Sequence, residues 1–195
     1  MMRPKILVLP GSTRSGSFNA KLSALMAKKL ALTDADVTQI SLKDYPLPLY
    51  DGDLEASRGV PAPAQKLKRL FQEQDGIFIA CPEYNAGVTP VLKNAIDWIS
   101  RLSDPGEPSS AAFKDRIFAL GSASPGAFAG MRGLIGMRTI LEVGLGAHVL
   151  PYMVSVPRAS TAFDGNGDLT DERTGAQADT LVKALIKNTK IRRLG

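Results

Sequence analysis

The residues best suited to chemistry crowd into "GSTRSGSFN", Gly11 to Asn19, directly after the apolar run "KILVLP". Four small hydroxyls (Ser12, Thr13, Ser15, Ser17), the amide of Asn19 and one cation, Arg14, stand together there. Gly11 and Gly16 have P-loop spacing, but that motif then needs Lys followed by Ser or Thr, and Ser17 and Phe18 occupy those places. A magnesium triphosphate would lack both its lysine and its metal hydroxyl. The G-x-G-x-x-G pattern is also absent. Hydroxyls, one guanidinium and the free N–H groups of a following helix suit a terminal monophosphate. The plainer alternative is a capped helix start with Ser17 or Ser15 as N-cap, which accounts for one hydroxyl and not the cluster.

Two more loops carry suitable groups. In "CPEYNAGVTP" (81–90) a proline stiffens the turn, Tyr84 offers a flat surface, Asn85 can donate and accept, and Gly87 lets backbone approach a ligand closely. A planar heterocycle with a polar rim would need such a set. Glu83 could act as a general base, but the favoured reading is a structural carboxylate that pairs with a neighbouring chain or a backbone N–H. "GSASPG" (121–126) is small and amide-rich, a weaker signal.

These loops need elements to hold them. "KILVL" (5–9) and "GIFIAC" (76–81) are unbroken apolar runs, typical of buried parallel strands. "DVTQISL" (36–42), "RIFALGS" (116–122) and "AHVLPYMVSVP" (147–157) complete five strands. Helical spacing appears through Phe18–Leu30, over about 62–74, after Thr89 and Pro90 as N-cap and first-turn proline, over about 127–143, and over about 172–192. The stretch "KDYPLPLYDGD" reads as loop. Alternating strands and helices predict an α/β, three-layer doubly wound fold with a parallel sheet. Residues 1–195 read as one domain, with 103–112 a loop inside it. Ligands of such sheets bind beyond the C-terminal strand ends, where all three loops fall.

Composition narrows the class. Hydrophobic residues at 44% and charged residues at 22% are ordinary for a globular chain. The net charge of +5 equals the five basic residues from Lys183 onward (Lys183, Lys187, Lys190, Arg192, Arg193), where no acid occurs. Basic residues late in a helix answer its dipole, so no nucleic-acid partner is expected. A single cysteine, Cys81, excludes an intrachain disulfide and a cysteine-rich zinc site. The N-terminal apolar run is too short for a signal peptide, and no run is long enough for a membrane span, so a cytoplasmic protein is the expectation.

Together, "GSTRSGSFN", "PEYN" (82–85), "LKNAIDWISR" (92–101) and "SASPG" (122–126), with "LYDGDLE" (49–55), resemble the NADPH-dependent FMN reductase family, and the likeness covers nearly the whole chain. That resemblance implies a flavodoxin-like α/β/α sandwich with sheet order 2-1-3-4-5. It implies bound FMN, with NADPH or NADH as donor and a quinone, azo compound, chromate or free flavin as acceptor. Ser12, Arg14, Ser17, Phe18 and Asn19 would hold the phosphate by side chain or backbone. Pro82, Glu83, Tyr84, Asn85 and Gly87 would line the isoalloxazine, and Ser122 and Ser124 its other side. No catalytic side chain and no metal is implied, because the cofactor carries the redox chemistry in a ping-pong cycle. The resemblance also implies a homodimer or homotetramer, with the helix carrying Trp98 and the 101–112 loop as candidate contacts. Arg101 and the 103–112 loop are candidates for reading the 2′-phosphate of NADPH. The competing function is a flavodoxin-type electron carrier, disfavoured because such carriers are usually acidic. A third is a phosphate-ligand binding module without catalysis.

Three decoys remain. "DGNGDLTDE" (164–172) has alternating Asp164, Asn166 and Asp168, but Leu169 and Gly175 stand where a calcium loop needs Gly and Glu. His148 alone cannot build a zinc site, and Cys81 reads as packing.

Overall fold

A computed structural model describes residues 3–108 and 110–193. Five parallel strands form its sheet: β1 (Lys5–Pro10), β2 (Asp36–Gln39), β3 (Gly76–Ala80), β6 (Ile117–Ala123) and β7 (His148–Val156), in the order β2-β1-β3-β6-β7. Counted among sheet strands alone, this is the expected 2-1-3-4-5. The small hairpin β4 (Glu83–Tyr84) and β5 (Gly87–Val88) stands apart. The helices are α1 (Phe18–Ala31), α2 (Gly52–Arg58), α3 (Ala62–Gln72), α4 (Pro90–Ser100), α5 (Met131–Arg138) and α6 (Glu172–Arg192).

The unbroken apolar strands are buried on both faces. Leu7, Leu9, Ile77, Ile79, Phe118 and Leu120 belong to a core with residues of α3, α4 and α5. Ile6, Val8, Phe78, Ala80 and Ala119 belong to a second core with α1 and α6. Strand alternation thus supplies both helical layers from one sheet.

Several boundaries move. β2 stops at Gln39, and Leu42–Asp44 form a 3₁₀ turn capped by Ser41. α2 arises within and beyond the expected loop, because Asp51 accepts the amides of Asp53 and Leu54 at 2.8 and 3.3 Å. α5 begins only after Gly130, and its last turns widen into a π-helix over Thr139–Gly144. Ala147 N–H then donates to Leu141 C=O, leading the chain into β7. Trp98 is fully buried, its Nε1 donating to Pro48 C=O at 2.8 Å and its ring edge-on to Tyr50. Its side chain is therefore core and offers no surface to another subunit. Of the 101–112 loop, Ser109 lies outside the described residues.

That loop is pinned by a buried cation. Lys68 on α3, 3% exposed, meets Asp104 at 2.7 Å and Glu107 at 2.5 Å. Burial opposes the Lys68 charge, but the two carboxylates outweigh it and raise its pKa. Glu107 is pushed down to about 2, first by its hydrogen bond from Lys68. A depressed carboxylate stabilises the fold above its ordinary pKa and loses that contribution as pH falls. The loss should run from the ordinary value of 4.5 down to about 2. Lys68→Met, which keeps the apolar stem, is expected to flatten that acid limb, as read by denaturant unfolding at stepped pH.

Candidate functional site

The first loop leaves β1 and enters α1. Ser17 is the N-cap, its Oγ accepting Asn19 N–H at 3.2 Å. Ser12 Oγ accepts Arg14 N–H at 3.3 Å. The amides of Thr13, Ser15, Gly16 and Phe18 find no acceptor among the described residues. Gly16 turns the loop with φ +69, a conformation costly for other residues. Arg14 is exposed and forms no ion pair among the described residues. Open amides beside a helix N-terminus, with hydroxyls and a free guanidinium, form an anion cradle.

This loop is bolted to its neighbours. Gly11 N–H donates to Ala80 C=O at 2.8 Å, and a Cβ there would come within 2.7 Å of Leu92 Cδ2. Thr89 is the N-cap of α4, as expected, and donates its hydroxyl to Gly11 C=O at 2.7 Å. Asn19 reaches the end of β6: its Nδ2 donates to Ala123 C=O at 2.8 Å, and its Oδ1 accepts Ala123 N–H at 3.0 Å. Each polar end of that side chain holds Ala123, so Asn19 ties the cradle to β6.

The second loop is a hairpin. Asn85 and Ala86 both adopt positive φ (50° and 64°) between the paired Tyr84 and Gly87. Such a tight turn usually holds glycine, and Ala86 in it is strained. Glu83 accepts from Arg132 Nε at 2.8 Å and from Gly133 N–H at 3.0 Å. Burial opposes its ionisation, but these bonds win and hold its carboxyl below the usual range. Glu83 is thus the structural carboxylate expected, within its own chain. Gly133 admits this contact, since a Cβ there would press within 3.3 Å of Glu83 Cα.

Ser12, Arg14, Ser17, Phe18, Asn19, Pro82, Glu83, Tyr84 and Ser124 meet around one cleft of about 160 Å³. Ala123 and Pro125 also line it; neither has a side chain that signals a site from sequence. Asn85 and Gly87 lie on the hairpin outside this cleft. Ser122 is not brought to it: its side chain is fully buried beneath Gly130, with an unpartnered hydroxyl. Nothing local in "GMRGL" marks Arg132, which holds Glu83. Cys81 is buried and its thiol is pushed up to about 12, foremost by that burial, which makes it inert. Asp164 accepts the amides of Asn166 and Asp168, and Asp168 pairs with Lys28, so the calcium-like stretch is a turn. Among the described residues no cluster could hold a metal ion, and no helix is long and apolar enough to cross a membrane.

A family model described as NADPH-dependent FMN reductase matches residues 4–161. The chain is 34% identical to an NAD(P)H-dependent FMN reductase of Pseudomonas aeruginosa, over 93% of this chain and 92% of that one. It is 32% identical to an NAD(P)H:quinone oxidoreductase of Solanum tuberosum, covering 93% and 90%. A solved flavoenzyme NAD(P)H:(acceptor) oxidoreductase of Paracoccus denitrificans superposes with a TM-score of 0.73 at 26% identity, covering 97% and 98%.

Proposed function

This chain belongs to the NADPH-dependent FMN reductase family, and from that premise we propose that it is an FMN-dependent NAD(P)H oxidoreductase passing electrons to a small acceptor such as a quinone. The observation that carries the reading is the shared cleft: an anion cradle at Ser12–Phe18 opens onto the same space as Pro82, Glu83 and Tyr84. A whole FMN exceeds that enclosed volume. Its phosphate end fits the cradle, and its ring would lie along the hairpin, where Tyr84 is 53% exposed. Bound FMN supplies hydride acceptance and electron donation. The protein's part is positional. Ser12, Ser17, Arg14 and the open amides hold the anion, Asn19 fixes the cradle to β6, and Glu83 with Arg132 fixes the hairpin to α5. An open ring face suits a donor and an acceptor that take turns.

The finer reading includes a cytoplasmic homodimer or homotetramer. Exposed Phe128, in the turn before α5, and exposed Ile135, on that helix, support association of copies. The net charge of +5 sets the chain apart from acidic electron carriers.

The test is to load the protein with FMN, remove the excess, and add NADH or NADPH without oxygen while following the flavin band near about 450 nm. Rapid bleaching is expected. A retained but persistent band would favour the electron carrier, and no retained flavin would remove the reading at its root. Arg14→Gln is expected to weaken FMN binding about tenfold through loss of one charge-assisted contact.

A further inference from the structure

A second and larger cavity, about 490 Å³, opens beside the flavin cleft, between the end of β7, the 157–171 segment and the first turns of α6. Its size falls in the range of small-molecule sites. Two guanidiniums line it, Arg158 and Arg173, and neither forms an ion pair among the described residues. Ala162 and Leu169 supply apolar wall, while Thr161 and Gln177 supply hydrogen-bonding groups. The cavity is preformed. Lys28 holds Asp168 at 2.8 Å, and Phe163 bridges Leu169 across the segment. Arg158 sits in the left-handed region at φ +47, where a non-glycine residue costs energy and marks a constrained position. Its carbonyl accepts Thr161 N–H at 3.0 Å.

The cavity is coupled to the flavin cleft through Ser124, which lines the cleft. Ser124 N–H donates to Val156 C=O at 3.0 Å, and Ala159 N–H donates to Ser124 C=O at 3.1 Å, on either side of Arg158. The start of α6 is not the attraction, because the Asp171 carboxylate already caps it by accepting Thr174 N–H at 2.8 Å. That carboxylate is the one acidic group lining the cavity, so two arginines leave it positive. Arg101, a sequence candidate for reading the 2′-phosphate, is committed to Glu55 at 2.9 Å.

We propose that this cavity receives the adenosine 2′-phosphate end of NADPH, with Arg158 and Arg173 on the phosphate; the proposal rests on the NAD(P)H reading of the neighbouring cleft. A dianionic phosphate takes two guanidiniums well, and NADH has nothing to place there. Free FMN, another phosphomonoester, is the competing source.

The experiment titrates FMN-loaded wild type and the Arg158→Gln/Arg173→Gln variant with 2′,5′-ADP by calorimetry, then compares kcat/KM for NADPH and NADH. Circular dichroism checks the fold, which exposed side chains leave intact. Binding of 2′,5′-ADP to wild type, weakened about tenfold or more in the variant, is expected. The NADPH to NADH ratio of kcat/KM should fall by a similar factor, chiefly through KM. Equal binding by both proteins, or no binding to wild type, overturns the proposal. So does a variant whose affinity for added FMN falls while its nucleotide affinity holds. If neither donor bleaches the flavin, the enzyme reading fails, and the titration still decides the site.

Discussion

Asn19→Ala is expected to destabilise the protein by roughly 2–6 kcal/mol, the cost of orphaning two buried backbone groups at about 1–3 kcal/mol each. The Asn19 side chain spans Ala123, donating to its carbonyl at 2.8 Å and accepting its amide at 3.0 Å, across 104 positions of sequence. Asn19 is 4% exposed, so water cannot easily replace either bond. For a chain of this size the melting temperature should fall by about 5–15 °C. Ser17→Ala is the control. It removes one capping bond from the same turn and should cost about 1 kcal/mol. FMN retention should also weaken in Asn19→Ala, because the cradle then floats relative to β6. Calorimetric unfolding and flavin retention on gel filtration read the two effects. If Asn19→Ala melts no lower than Ser17→Ala, the clamp has been misjudged.

How legible the molecule was depends on how local each signal is. The sheet was readable because β1 and β3 are unbroken apolar runs between turn residues, and burial on both faces demands that pattern. The cradle was readable because its hydroxyls are consecutive. The resemblance marks Asn19 as a phosphate residue but says nothing of its clamp on Ala123. That partner lies on a strand far along the chain, and no local pattern announces such a clamp. The Thr89-Pro90 pair is legible as the start of α4 and stands there as N-cap and first-turn proline, but the bond from the Thr89 hydroxyl to Gly11 has no local signature. α2 was hidden by a proline-rich approach, and its signal, Asp51 ahead of Gly52, looks like a turn until the structure shows it capping. The π-helix after Arg138 has no periodic signature at all, since it is one widened turn at the end of an ordinary helix. The arginine pair of the second cavity stands on either side of a turn that imitates a calcium loop, and neither arginine lies in a pattern that marks a site locally.

The other large expected effect is at Gly130. A Cβ there would sit 1.9 Å from Ser122 Oγ and 2.7 Å from Ser122 Cβ, and the backbone φ is +78. Gly130→Ala therefore combines two costs: about 1–2 kcal/mol for a left-handed alanine and about 1–3 kcal/mol for overpacking. The consequences should travel. Gly130 is the N-cap of α5, Gly133 one turn on carries the N–H that Glu83 accepts, and Glu83 seats the hairpin with Tyr84. A displaced α5 thus loosens the flavin-facing hairpin as well as the fold. Ser122→Gly in the same chain removes both clashing atoms and should recover the overpacking cost while leaving the left-handed one. A double-mutant cycle should return a coupling of about 1–3 kcal/mol. A coupling near zero would mean that α5 shifts aside freely. Ser122→Ala alone separates the two roles considered for this serine. Its hydroxyl is buried without a partner, so removing it should leave stability unchanged or slightly raised. A flavin that touched that hydroxyl would be held less tightly by Ser122→Ala; a hydroxyl sealed beneath Gly130 predicts FMN retention equal to wild type.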